Sequence, residues 1–196
     1  MAPLGPPRFL AHFLPKFDNQ ADDRLLGPLV DGTPSSFLLV SKKHSGSLVM
    51  APPFCSKNAV ANEYSRMGCI VLREHFRAVW GEEGGDAEGD AAFLRWWDDA
   101  ENSGLCYSFE VVVPRVLGDH GATPCGAYAI LTAVAAVGEG GRLLSPLEVI
   151  SLATSWRLPL NEAYFVPSGS ATVVEASLRA SRWELTDSGV EGLLGR

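Results

Sequence analysis

Two short apolar runs, residues 37–40 and 48–50, flank a polar stretch holding Lys42, Lys43 and Gly46, a pattern that predicts a strand, a turn and a strand paired as a hairpin. Apolar residues at helical spacing predict a helix over 59–80, with Asn58 as its cap. An acidic, glycine-rich stretch at 81–89 reads as a loop, and 91–100 as a short helix offering Phe93, Trp96 and Trp97 to a core. Residues 106–113 read as a buried strand of β-branched and aromatic residues interrupted by one carboxylate, Glu110. The segment 125–137 is ambiguous, its alanines favouring helix and residues 128–134 allowing strand. Ser145 and Pro146 start a helix to 155, a strand follows near 163–166, and 173–182 is helical in pattern. Strands and helices mix without a βαβ rhythm and without repeat or linker, which predicts one α+β domain over 1–196 with antiparallel sheets.

With 46% hydrophobic and 20% charged residues, 196 residues suffice for a real core. No run of 18 apolar residues is present to span a membrane. The first 17 residues lack an acid, but Pro3, Pro6, Pro7 and Pro15 break any amphipathic helix, which argues against a transit peptide while leaving a chloroplast location open. Cys55, Cys69, Cys106 and Cys125 show no metal-ligand spacing, and are expected to be reduced thiols of an intracellular protein, nuclear or cytoplasmic. A net charge of −7 argues against a polyanion partner. Its distribution changes that picture: residues 1–57 hold six Lys or Arg against four Asp, and all four lysines, Lys16, Lys42, Lys43 and Lys57, lie there.

The candidate chemistry starts from Lys43 and Gly46. A lysine at a strand end, with a glycine three residues on that lets a ligand approach the backbone, suits a lysine nucleophile aimed at phosphorus. Taken alone, Lys-x-x-Gly is an ordinary solvated turn, and Lys16, Lys57 and Glu191 are ordinary surface charges. Lys42 competes as nucleophile, but only Lys43 stands three before Gly46. Glu110 is costly within a buried strand unless it faces a polar site.

In order, these elements resemble the nucleotidyltransferase domain of ATP-dependent RNA ligases, and most closely the plant and algal tRNA ligases. Lys16-Phe17-Asp18-Asn19 resembles the upstream Lys-Phe-Phe-Asn element, Lys43-His44-Ser45-Gly46 the nucleophile element, and Ser56-Lys57-Asn58 the lysine element that follows. Phe109-Glu110 is similar to the Phe-Glu strand, and Glu191-Gly192-Leu193-Leu194 to the late Glu-Gly-x-Val strand. Three further stretches, 117–121, 146–150 and 156–161, resemble the plant-type enzyme in particular.

The resemblance implies an adenylyltransferase fold around a nucleotide pocket and a sealing reaction that uses ATP and Mg²⁺. Lys43 would form lysyl-AMP, AMP would pass to an RNA 5′-phosphate, and a 3′-hydroxyl, as on tRNA exon halves, would displace it. Lys16, Gly46, Lys57, Glu110 and Glu191 would bind the nucleotide, with Glu110 and Glu191 as candidate Mg²⁺ ligands. Asp18 stands where the family has an aromatic, and Ser45 where it has Asp or Asn. The chain carries no lysine after Lys57, so the family's last lysine pair is expected beyond Arg196. It carries neither a phosphate loop nor paired His-x-Thr elements, so the kinase and cyclic phosphodiesterase domains of the multidomain ligase are expected to be absent. Two other readings compete: a non-catalytic module that binds ATP or RNA or serves as an interaction module, and a thiol hydrolase using Cys125 in Thr123-Pro-Cys-Gly-Ala127. The second lacks partners, since all four histidines precede Cys125.

Overall fold

A computed structural model describes residues 11–12, 37–57, 59–114, 126–138 and 141–167. The chain divides into two compact units, between which it passes after Lys43 and again after Asn161. One unit contains His44–Asn161 with Ala11 and His12; the other contains 37–43 and 162–167.

In the larger unit, β2 (Ser47–Ala51), β3 (Cys55–Ser56), β4 (Leu105–Val112), β5 (Tyr128–Ala136) and β6 (Arg142–Leu143) form an antiparallel sheet in the order β3-β2-β4-β5-β6. In the smaller unit, β1 (Phe37–Ser41) pairs with β7 (Ala163–Pro167), also antiparallel. The hairpin expected from 37–50 is therefore corrected: both strands form, but they belong to different sheets. Each found a remote partner, Phe37 opposite Pro167 and Ser47 opposite Val111. The ambiguous segment resolves as strand β5, whose Val134 and Leu131 are buried against the helical layer.

The helical layer is α1 (Glu63–Ser103), broken at Gly85, where φ is +69°. Asn62 caps it by accepting the Ser65 N–H at 2.9 Å; Asn58, the expected cap, lies outside the described residues. Gly104, in the left-handed region, ends it. The stretch 81–89 is thus not the expected loop. The helix continues on both sides of Gly85 and folds back, because that one residue supplies a conformation other residues resist. Gly89 lets the two halves meet closely, since a Cβ there would strike the Arg77 backbone. Asp90 then joins Arg73 and Arg77 across the fold, at 2.6–2.9 Å.

The inner face of α1 buries Leu72, Phe76, Phe93 and Trp96 against Tyr107 and Phe109 of β4, with Trp96 5.3 Å from Tyr107 ring to ring. Gly68 brings the same helix close to β2, as a Cβ there would lie 2.7 Å from the Val49 side chain. Helix α2 (Pro146–Trp156) starts as its sequence predicts, with Pro146 in the first turn and a reciprocal cap between Ser145 and Glu148. The expected helix at 173–182 lies outside the described residues.

Two ion-pair sites, one half-buried and one exposed, contribute to the acid response. Hydrogen bonds from Arg73 and Arg77 hold the Asp90 carboxyl well below the usual carboxylate range. Arg142, helped by the Ser145 cap, draws Glu148 down to about 2. Both pKa values are depressed by folding, so their stabilisation is complete above the ordinary range and is lost as pH falls from about 4.5 downward. Acid titration followed by circular dichroism should show Asp90→Asn with a shallower loss of stability below pH 4.5 than the parent. Gly89→Ala should destabilise by about 1–3 kcal/mol in urea melts, the cost of forcing a methyl into a packed contact.

Candidate functional site

The segment between β1 and β2 carries the candidate lysines. Lys42 and Lys43 are exposed, and Lys43 is the last residue before the chain enters the larger unit at His44. The Lys42 N–H donates to the Glu162 carbonyl at 3.2 Å, continuing the β1–β7 ladder by one step.

Gly46 sits against β4. A Cβ there would lie 2.5 Å from the Val111 carbonyl oxygen and 2.9 Å from the Val112 side chain. The requirement for glycine is therefore met within the chain: its own strand makes the close approach that the sequence suggested for a ligand. Glu110, one position along β4, accepts the Gly46 N–H on Oε1 at 2.7 Å. Its partly buried carboxylate is thus turned to this segment, which explains a charged residue among Phe109, Val111 and Val112. The other carboxylate oxygen has no hydrogen bond to a described residue.

His44 is fixed as well. One ring nitrogen, Nδ1, lies 3.1 Å from the Tyr128 hydroxyl at the start of β5, and Nε2 lies 3.0 Å from Asn161 Oδ1. The two rings meet edge to face, with centroids 5.6 Å apart. Asn161 is itself placed by the preceding segment, where the Leu131 N–H of β5 donates to the Pro159 carbonyl at 2.8 Å.

Of the expected site residues, Gly46 and Glu110 meet directly. Lys57 is exposed and leaves the ladder one residue past the Val49–Ser56 pair, next to the row that holds Leu48 opposite Glu110. It approaches the same end of the sheet as Glu110, separated from it by β2. Lys16, Glu191 and Cys125 lie outside the described residues. Among those described, no group of three His, Cys, Asp or Glu side chains is placed to hold a metal ion, and no helix is long and apolar enough to cross a membrane. Cys55, Cys69 and Cys106 are free thiols, and burial pushes the Cys106 thiol up to about 11.

Sequence reasoning missed His44, Tyr128 and Asn161 as a unit. Asn161 closes the stretch 156–161 that resembles the plant-type enzyme, and His44 stands inside the lysine element; no local pattern links either to Tyr128, because the three are joined only by tertiary contact.

Glu110→Ala removes the Gly46 acceptor and should cost about 1–2 kcal/mol in denaturant melts, whereas Glu110→Gln keeps an oxygen there and should cost less. Gly46→Ala should cost about 1–3 kcal/mol, because the methyl meets backbone that cannot rotate away.

No family model matches the chain. It is similar to tRNA ligase 1 of Arabidopsis thaliana, with 36% identity over an alignment of 164 positions that covers 79% of this chain. The aligned part spans only 14% of the length of that relative. Over about four fifths of its length the chain is thus homologous to one segment of a plant-type tRNA ligase.

Proposed function

We propose that the chain is an adenylyltransferase segment of an RNA ligase, with Lys43 as its nucleophile and a nucleotidyltransferase-type fold formed by the whole of 1–196. The observation that carries the reading is the bond between Glu110 and Gly46, two elements 64 residues apart in sequence that the proposed site requires together. Homology to a protein named as a tRNA ligase supports it.

In this reading the unprotonated Lys43 amine attacks the α-phosphorus of ATP. A phosphorus–nitrogen bond forms, the bond to the bridging oxygen breaks, and pyrophosphate leaves. AMP then passes to an RNA 5′-phosphate, and a 3′-hydroxyl on a second RNA end, such as a tRNA exon half, displaces AMP to close the phosphodiester. Glu110 shapes the segment through Gly46. Lys57, with Lys16, supplies positive charge for phosphates.

Mg²⁺ fits the residues as a companion of the triphosphate. Glu110 keeps one carboxylate oxygen, and a magnesium ion commonly takes one or two carboxylates with phosphates and waters. Bound there, it would neutralise charge on the phosphates, and Glu191 as a second ligand belongs to the same proposal. An intracellular setting, nuclear, cytoplasmic or chloroplast, belongs to the same proposal, as do the remaining domains of a multidomain ligase as partners.

Incubating the full-length gene product with α-labelled ATP and Mg²⁺ should leave a covalent AMP on Lys43, located by mass mapping. Lys43→Arg should abolish the adduct, since a guanidinium keeps its proton, while changing stability by no more than about 0.5 kcal/mol. A full adduct in that variant would move the role to Lys42 or remove the mechanism. Binding of ATP or RNA without any adduct in the parent would leave only a binding module.

RNA affinity should fall as salt rises, and Lys57→Ala should reduce the slope of log affinity against log salt by about 0.7 if it meets one phosphate. An unchanged slope would make Lys57 a solvated charge.

A further inference from the structure

We infer that His44, clamped by Tyr128 and Asn161, is a positioning residue that fixes the backbone root of the lysine nucleophile; the inference rests on the adenylyltransferase reading above. A lysine side chain has four rotatable bonds, so attack on phosphorus depends on where its Cα is held. Each neighbour of Lys43 is bonded within its own unit. Lys42 is tied to Glu162 by its N–H, and His44 is tied by both ring nitrogens to residues 84 and 117 positions away in sequence. The Cα atoms of Lys43 and His44 are about 3.8 Å apart across their peptide bond, so holding one restricts the other. Two residues further on, Gly46 is held by Glu110. Only Lys43 and Ser45 within Lys42–Gly46 lack such a bond among the described residues, and both are exposed.

The hydrogen-bonding pattern is self-consistent. If Nε2 carries the proton it donates to the Asn161 amide oxygen, and Nδ1 then accepts from the Tyr128 hydroxyl. An imidazole with both nitrogens engaged and an aromatic edge against it has one orientation. Neither the Gly46 contact nor the lysine itself demands a histidine at position 44; the clamp does.

A step-resolved assay separates this role from general damage. Sealing of an RNA whose 5′ end already carries AMP needs no attack by the lysine, whereas formation of lysyl-AMP does. In the full-length gene product, His44→Ala should slow lysyl-AMP formation at saturating ATP by about 10²-fold, the scale of a displaced reactive group. The ATP concentration for half-maximal rate and the rate of sealing pre-adenylated RNA should both stay within about twofold of the parent. Tyr128→Phe keeps the ring and should produce a smaller loss in the same step, and His44→Ala with Asn161→Ala should be no slower than His44→Ala alone, as expected for residues acting as one unit. A normal rate of lysyl-AMP formation in His44→Ala, or equal losses in adenylation and in sealing of pre-adenylated RNA, would overturn the role of His44. Absence of any adduct in the parent protein would instead overturn the ligase reading, and this role with it.

Discussion

The approach of Gly46 to the edge of β4 is the constraint on which the candidate site depends. At that distance the Val111 carbonyl leaves no room for a side chain, and the Gly46 N–H is brought onto the Glu110 carboxylate. One contact thereby sets both the start of β2 and the direction of the only acid in β4. The sheet that holds it is rigid for an independent reason: β4 is central, paired on both sides, and its Tyr107 and Phe109 lie under the aromatic face of α1. A carboxylate on such a strand has little freedom, which is the property a fixed hydrogen-bond acceptor needs.

What was legible in the sequence followed from local signals. The strand through Glu110 showed itself by its β-branched and aromatic residues, and the start of α2 by Ser145, Pro146 and Glu148, whose cap is made within three residues. The stretch around Gly85 misled because glycine and acid content normally mark a loop, while here a single positive φ turns one helix into two packed halves. Pairing misled for a deeper reason. Phe37–Ser41 and Ser47–Ala51 look like hairpin arms, yet nothing local states that their partners stand at Ala163–Pro167 and in β4. The same limit hid His44, Tyr128 and Asn161, each unremarkable in its own neighbourhood.

Charge is distributed differently on the helical frame and on the connections between strands. In the larger unit four arginines are engaged by acids or carbonyls: Arg73 and Arg77 by Asp90, Arg142 by Glu148, and Arg157 by the Val79 carbonyl while it lies 4.6 Å over Trp80. These contacts are exposed or half-buried and individually weak, and their value is in orienting the helices. The lysines Lys43 and Lys57, by contrast, are exposed on connections beside strand ends. A net charge of −7 says little about a phosphate ligand, because it averages over the whole chain while a ligand meets the local charge beside it.

Exposure of a nucleophile and precision of its attack pull in opposite directions. A lysine buried for precision would be costly to charge and slow to meet ATP, whereas one at the end of an unconstrained loop would spend most of its time in unproductive positions. With Lys43 in the proposed role, its neighbours are bonded and its side chain is left open: Lys42 through its amide in one unit, His44 through its ring and Gly46 through its amide in the other, while Lys43 itself is exposed. Each anchor comes from a different stretch of chain, Glu162, Tyr128 with Asn161, and Glu110, so the order depends on the folded state and cannot exist in the isolated peptide. That dependence gives a physical reason why a Lys-x-x-Gly element is uninformative by itself and becomes specific only with the distant residues that hold it.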